Sequence, residues 1–492
     1  MKIIFITTVL GVFLPVILLG QGFDANWLAG TNEYPHAGRY GNAVATFQDD
    51  TVVVEQIDLK MNFESTLGVI SDSLGNLLFF TNGCYVADAS GDTMSNGDGL
   101  NPGLVHDWVC PENGYISPRG AMILPMPGST HQYYLLHMGV RYESGKNLSF
   151  GPFYYSVVDM ALNDGKGAVT SKNQVLADGS LEPFAVTRHG NGRDWWIIVP
   201  EDQSMRYRRF VAGPGAIHEA PALEIGDTGN CLRIGSAAFS PDGRRFARRQ
   251  NCKTLVFDFD RCSGALTNPI ALTRPEKAFG GGGVAFSPDG NMLFATDQMA
   301  ILSANLMLPA PLFDTLINTE AITGAGLHFM QYGPDGKRIY MNILHRSRIF
   351  SSLDSLHLLQ PVFTQAALSL PVYSVRTLPH FPHFRLYDLP DSPCDTLGIN
   401  TPVSVADNEK PAAGYHLYPN PTATSFTLRT TSSFFTGGEP VVLYNSTGQV
   451  LATRQPARGE TSLVFGVESY PPGVYWLRVE GVVMKVLRMA GF

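Results

Sequence analysis

The chain has 492 residues and a formal charge of −8, with 44% hydrophobic and 16% charged residues. Charge falls well below the ~25% of an average domain while 50 Gly and 33 Pro exceed the usual share, which excludes disorder and a long coiled coil. An acidic balance with no basic block argues against nucleic acid as a partner, and 29 Phe with 19 Tyr suit many short strands joined by tight turns.

In chain order, Lys2 is followed by an apolar run over 3–19 and then Gly20. One early cation, a hydrophobic stretch and small residues after it predict a secretory signal peptide over residues 1–20. The rival reading, an uncleaved anchor, meets a run of only 17 residues broken by Gly11 and Pro15, against ~20 for a span. No later stretch is apolar enough, so the expectation is an exported chain with no transmembrane span.

The middle of the chain repeats itself. AAFSPDGRRFARR begins at Ala237, VAFSPDGNMLFAT at Val284 and MQYGPDGKRIYMN at Met330. The turn residues are Pro241-Asp242-Gly243, Pro288-Asp289-Gly290 and Pro334-Asp335-Gly336, whose glycines are 290 − 243 = 47 and 336 − 290 = 46 apart. Proline presets φ, Asp caps the turn and Gly takes the position closed to side chains, so each segment predicts a β-hairpin. The period falls in the ~40–50-residue range of propeller blades. Looser copies centre on Gly75, Gly128 and Gly192. Six hairpins are legible, and a seventh blade is expected to combine 372–386 with an N-terminal strand near 52–59. The fold expected is all-β: a seven-bladed β-propeller over 25–398, with eight blades as the alternative, followed by a small immunoglobulin-like β-sandwich.

The Phe-Ser-Pro-Asp-Gly hairpins, with SDSLGNLLFFTNG, SNGDGL, NGRDWW, FDFDRCSG and SPCDTLGI, resemble exported WD40-like propellers of the Bacteroidetes lineage. As far as the resemblance reaches, that family implies no activity. The triplets Asp72-Ser73-Leu74, Asp314-Thr315-Leu316 and their kin resemble the O-glycosylation triplet of the same lineage.

After Cys394 the composition turns polar and Pro/Ala-rich, which predicts a linker over 399–414. Short alternating runs then predict a sandwich over 415–492. This tail resembles the C-terminal sorting domain read by the type IX secretion system. Leu417-Tyr418-Pro419-Asn420-Pro421, Leu443-Tyr444-Asn445 with Gly448, Gly473-Val474-Tyr475 and Lys485 carry the likeness, which departs at the final Met489-Ala490-Gly491-Phe492. It implies Sec export, passage across the outer membrane, and the type IX machinery as a partner.

Chemistry is sparsely signalled: no HExxH, GxSxG or Walker loop occurs. His131 and His137 are a weak metal pair. Arg188-His189-Gly190-Asn191-Gly192-Arg193-Asp194 offers either a base oriented by Asp194 or a hairpin turn, and the turn fits the repeat. Asp92, Asn96 and Asp98 form an oxygen-rich loop without the spacing of a Ca²⁺ loop. Gly280–Gly283 precede a strand and are expected to pass close to the axis rather than cradle phosphate. No catalytic residue, cofactor or metal is assigned.

Six cysteines in an exported chain predict disulfides. Treating Pro241-Asp242 as a two-residue hairpin gives opposed residues a constant index sum, 240 + 243 = 231 + 252 = 483, which pairs Cys231 with Cys252. Cys84–Cys110 is the next expectation, and Cys262–Cys394 follows by elimination. Two functions remain open: a non-catalytic binding or adhesion module for an extracellular protein or glycan ligand, or a secreted hydrolase or lyase with its site at the propeller axis. Converging buried carboxylates or histidines at the axis favour the second reading, and an apolar or glycine-lined axis the first.

Overall fold

The computed structural model describes residues 22–31, 40–48, 51–143, 147–228, 235–273, 282–297, 300–319, 326–343, 346–358, 360–397, 415–420, 422–430, 435, 439–445, 449–457, 459–471, 473–479 and 482–488. The chain divides into two units, Met1–Ile399 and Asn400–Phe492.

The described part of the first unit folds into seven antiparallel sheets, each a meander in sequence order, giving a seven-bladed propeller. Blades 1 to 7 span residues 26–57, 68–88, 121–177, 185–224, 236–273, 284–318 and 327–374; the first two have three strands and the others four. The strand that opens each blade lies innermost. Those opening strands are buried along their whole length in blades 1, 2, 4, 6 and 7, as in Asn26–Thr31 and Leu327–Tyr332, because neighbouring blades cover both faces. Last strands such as Ile217–Glu224 have no buried residue and are half exposed.

The six hairpins read from sequence join the first and second strands of blades 2 to 7. In the Pro241-Asp242-Gly243 turn, Gly243 N–H donates to Ser240 O at 2.8 Å and Gly243 adopts φ +71°. Asp242 Oδ1 accepts from the Ser240 hydroxyl at 2.5 Å and from Arg244 N–H at 3.1 Å. The Pro288-Asp289-Gly290 and Pro334-Asp335-Gly336 turns repeat the backbone bond, at 2.9 Å in both.

Two expectations are corrected here. The Pro-Asp-Gly turn is not a two-residue hairpin. Its left-handed glycine adds residues, so Ser240 N–H bonds Arg245 O and Ser236 faces Arg249, an index sum of 236 + 249 = 485 rather than 483. That register no longer places Cys231 opposite Cys252; Cys231 lies outside the described residues, and Cys252 is disulfide-bonded in the turn after Arg249. The other two pairs are present, Cys84–Cys110 with Cα atoms 5.6 Å apart and Cys262–Cys394 with 5.4 Å. Non-reducing peptide mapping of the exported chain is expected to find the Cys252 peptide linked to that of Cys231; any other partner contradicts the pairing.

The second correction concerns closure. Residues 51–57 do not complete the blade that ends at Ser374. They pair with Gly41–Gln48 in a sheet of their own, while Val362–Ser374 pairs with Ser347–Asp354 in blade 7. The ring closes instead by side-chain packing between blades 1 and 7 and through the segment after Ser374. Trp27 of blade 1 meets Tyr340 of blade 7 edge-on at 5.3 Å between ring centroids.

The second unit forms two sheets, ordered Tyr415–Tyr418, Ser425–Thr430, Ser462–Gly466 and Val450–Arg454, Val441–Tyr444, Gly473–Val479, Val482–Arg488. Phe426, Leu428, Leu443, Phe465 and Leu477 fill the space between them, as expected of a small immunoglobulin-like sandwich. Alternation is clean in Ser462–Gly466, where Leu463 and Phe465 are buried and their neighbours exposed. Seven strands lie among the described residues of this unit, and the first, Tyr415–Tyr418, carries Leu417.

Candidate functional site

The axis comes first, because propeller ligands are commonly sought there. It is filled by the chain itself. Residues 377–389 leave blade 7 and cross the innermost strands. Thr377 Oγ1 donates to Phe63 O at 3.4 Å, and Phe381 N–H donates to Gln331 Oε1 at 3.2 Å. Arg385 forms a two-toothed ion pair with Asp24, 2.9 Å on both arms, and Leu389 N–H donates to Gly190 O at 2.8 Å. Phe381 packs on Trp27, and Phe384 on Phe23 and Trp195. The Cys262–Cys394 disulfide fastens the end of this crossing to blade 5. What remains between residues 380–383 and the inner strands of blades 3 to 7 is a cavity of about 30 Å³, the scale of one water.

Most polar contacts around this segment run to the protein itself, although Arg119 Nε and His328 Nδ1 are buried without a hydrogen-bond partner among the described residues. Arg119 donates to Met330 O at 2.9 Å and to Gln331 Oε1 at 3.3 Å, and its own carbonyl lies 3.0 Å from His380 Nδ1. Burial lowers Arg119 to about 9. It also lowers His383 to about 4, although a bond to the Phe239 backbone opposes the shift, and holds His380 well below its ordinary value. His328 falls to about 4 through burial, then the charges of Arg376 and Arg119.

A consequence follows for pH. These imidazoles bind a proton less readily folded than unfolded, so their contribution is complete above about pH 6.5 and lost as pH falls toward about 4. For His383 a drop from 6.5 to about 4 corresponds to about 3 kcal/mol at the acid end. The urea midpoint of the propeller is expected to fall steeply between about pH 6.5 and 4, and His383→Gln to flatten that slope. A midpoint that is level across this range contradicts the assignment.

The second place of interest is the segment between blades 2 and 3. After the short strand Val86–Asp88 the chain makes loops and a helix, Leu104–Val109, instead of a fourth strand. The helix is two-faced at i, i+4 spacing: Val105 and Val109 are buried against Tyr115 and Val140, while Leu104 and Trp108 are 78% and 65% exposed. Cys84–Cys110 ties its C-terminal end to blade 2, and Tyr115 OH accepts from Val140 N–H at 2.9 Å. Below it, Asn101 donates to Gly83 O at 3.0 Å and lies 2.8 Å from His137 Nδ1.

Two clefts flank this helix. One, about 290 Å³, is lined by Leu104, Tyr115, Arg141, Tyr142 and Tyr154 among others, and the Trp108 and Tyr142 rings stand together at 6.2 Å and 46°. The other, about 350 Å³, is lined by Cys84, Tyr85, Asp98, His106, Asp107, Cys110 and Pro111. His106 Nδ1 is buried there without a hydrogen-bond partner, and burial, with the nearby Asp98 charge, raises Tyr85.

The residues singled out from sequence fall elsewhere or serve structure. His137 is fully buried between Asn101 and Ser156 and is pushed down to about 3 by burial, whereas His131 is exposed beside Asp159. The two do not converge, and the described residues contain no cluster suited to a metal. His189 accepts from Asn191 N–H and stacks on Trp196, while Asp194 bonds Asn191 and Arg193, so the segment is a turn. The Asp92–Asp98 loop already holds a cation: Lys172 Nζ donates to Asn96 O, Asn96 Oδ1 and Asp98 O at 3.2, 3.1 and 2.6 Å. Gly280 and Gly281 lie outside the described residues; a Cβ on Gly283 would come within 2.4 Å of Met330 N in the next blade. Sequence reading missed both the axial segment and the helix. An exposed Trp between two cysteines was the available signal for the helix.

In the tail, Leu417 and Tyr418 lie on the first strand, Pro419 and Asn420 follow it, and Pro421 lies outside the described residues. Gly473, Val474 and Tyr475 open one strand of the second sheet, and Lys485 lies on the next, paired in register with Trp476. No described helix is long and apolar enough to cross a membrane.

No curated protein matches the chain. Among solved structures, a Bacteroides uniformis protein provisionally named a 6-phosphogluconolactonase is similar at 16% identity and a TM-score of 0.44, over 71% of this chain and 97% of its own. A Bacteroides fragilis protein with the same provisional name follows at 12% and 0.39, over 71% and 96%. The Dos1 propeller is similar at 13% and 0.38, over 72% and 87%. The propeller assignment rests on the seven sheets and not on these likenesses. Residues 416–488 match the secretion system C-terminal sorting domain. The chain is therefore a β-propeller protein that carries a C-terminal sorting domain and is exported by the type IX secretion system to the cell surface or the medium.

Proposed function

We propose that the protein is a non-catalytic extracellular binding module, delivered by its tail and presenting a ligand surface at the rim of the propeller. The filled axis carries this reading: Phe381 and Phe384 occupy the place where a hydrolase or lyase would need converging side chains and open volume, and the cavity beside residues 380–383 is about 30 Å³ among the described residues. His380 and His383 line that cavity, but desolvation holds both neutral, and His380 Nδ1 lies 3.0 Å from the Arg119 carbonyl. A disulfide-pinned helix with clefts on both sides supplies a rigid presenting surface instead.

The same reading takes residues 1–20 as a cleaved signal peptide, 399–414 as a linker, and the hairpin repeats as those of exported WD40-like propellers of the Bacteroidetes lineage. It takes the ligand to be an extracellular protein or glycan. A chain ended after Thr401 is expected to fold its propeller and stay in the periplasm of the native host; appearance in the medium or on the surface contradicts the role given to the tail. The functional test is to incubate the exported chain with a glycan and protein array and analyse the supernatant. Retention on one ligand class without product release supports the reading, and turnover of any arrayed substrate overturns it.

A further inference from the structure

We infer that the cleft beside Leu104–Val109 is a saccharide site, with Trp108 and Tyr142 as its stacking platform and Tyr154 and Arg141 as its hydroxyl readers. The inference rests on the binding-module reading and names the ligand class of one of its surfaces.

Four features select this chemistry. First, Trp108 is 65% and Tyr142 46% exposed, yet they stand beside each other at 6.2 Å with planes 46° apart. Two large rings held together in water on a rigid base are a preorganised apolar surface, with no further ring against either among the described residues. The tilt opens a shallow trough rather than a flat patch, which suits a ring with an apolar C–H face. A pyranose has one such face and a belt of hydroxyls around it.

Second, the walls supply groups that hydroxyls require. Tyr154 lines the cleft, and its hydroxyl has no hydrogen-bond partner among the described residues. Phenols donate and accept, as sugar hydroxyls do. Arg141 lines the cleft too and reaches Asp178 at 2.7 Å.

Third, the charge of the site is balanced. Arg141 carries its own carboxylate partner, and Asp98 and Asp107 line the neighbouring cleft across the helix. An anionic ligand would have to displace Asp178 and approach those carboxylates; a neutral, hydroxyl-rich ligand meets no such cost. A wholly apolar ligand would leave the Tyr154 phenol unanswered.

Fourth, the size fits. About 290 Å³ is at the lower end of the ~300–1,000 Å³ usual for small-ligand sites, so the cleft takes one or two rings of a chain that continues over Trp108.

The test titrates the full exported chain with cellohexaose, laminarihexaose, mannohexaose and chitohexaose, read by tryptophan fluorescence and calorimetry. At least one hexaose is expected to bind at millimolar concentration or below and to perturb the fluorescence. Trp108→Ala and Tyr142→Ala should each weaken that binding about tenfold or more, while far-UV circular dichroism and the melting temperature stay those of the parent, since both side chains are largely exposed. Tyr154→Phe, which keeps the ring and removes the hydroxyl, should weaken it less. If no hexaose binds, or if binding survives Trp108→Ala unchanged, the saccharide site is overturned. Chromatography of the supernatant separates the two readings. A hexaose held at Trp108 and returned intact supports both; one that is cleaved keeps the site and overturns the non-catalytic assignment.

Discussion

Replacing Phe384 by alanine is expected to destabilise the propeller by about 3–5 kcal/mol, the range for removing a fully buried aromatic side chain. Phe384 is 1% exposed and packs against Phe23 before blade 1, Trp195 of blade 4 and Phe381 of its own segment. Its position between blades far apart in sequence makes it a fastener rather than ordinary core, so its loss affects a segment as well as a cavity. Urea unfolding of the full chain, followed through the propeller tryptophans, reads the effect as a lower midpoint. Leu386→Ala, on a residue whose burial is only partial, should cost clearly less. Equal costs at the two positions would contradict the placement of the phenylalanine.

Arg248→Ala is expected to cost a similar ~3–5 kcal/mol for a different reason. Arg248 of blade 5 bonds Glu182, just before blade 4, through Nε at 2.7 Å and Nη2 at 2.8 Å, with side chains 1% and 4% exposed. It also donates to Ser204 O and Glu201 O, at 2.8 and 2.9 Å. Removing the guanidinium leaves Glu182 charged and desolvated, with Gln250 at 2.8 Å as its remaining partner. The joint substitution Arg248→Met with Glu182→Leu removes both charges and is expected to recover most of the loss, because an apolar pair of similar volume replaces a paired buried charge at little cost. Denaturation of Arg248→Met, Glu182→Leu and the joint variant forms a cycle. Costs that simply add would show that the two residues do not act as a pair.

The hairpins were legible because their chemistry is local: Pro241, Asp242 and Gly243 each have a turn position that only a few residue types fill. Turn type was less legible. Gly243 at φ +71° lengthens the loop, and this moves every partner upstream, which is why the register argument for Cys231 and Cys252 did not survive. Closure was not legible at all. Pro379-His380-Phe381 and Pro382-His383-Phe384 repeat with a period of three and fit neither helix nor strand, so a search for periods of 3.6 and 2 passes over them. Two prolines lack the donors that a ladder needs, and the burial of the two phenylalanines comes from rings brought by other blades. The helix at Leu104–Val109 escaped because it has six residues, opens after Gly103 without a side-chain cap, and is held by a disulfide and tertiary packing rather than by propensity. The tail was legible because its described motif residues lie on strands or directly after them, where alternation and turns are both visible.

The central claim is that residues 377–389 fill the axis and leave ligand binding to the rim. Amide hydrogen exchange of the full exported chain tests it most directly, since protection reports burial and hydrogen bonding segment by segment. The amides of Phe381 and Leu389, which donate to Gln331 Oε1 and Gly190 O, are predicted to exchange as slowly as those of the inner strand pair at Trp195–Pro200. They should also exchange far more slowly than the exposed strand Ile217–Glu224. Exchange of 377–389 as fast as that outer strand would mean an open axis, and would return the hydrolase or lyase reading to first place.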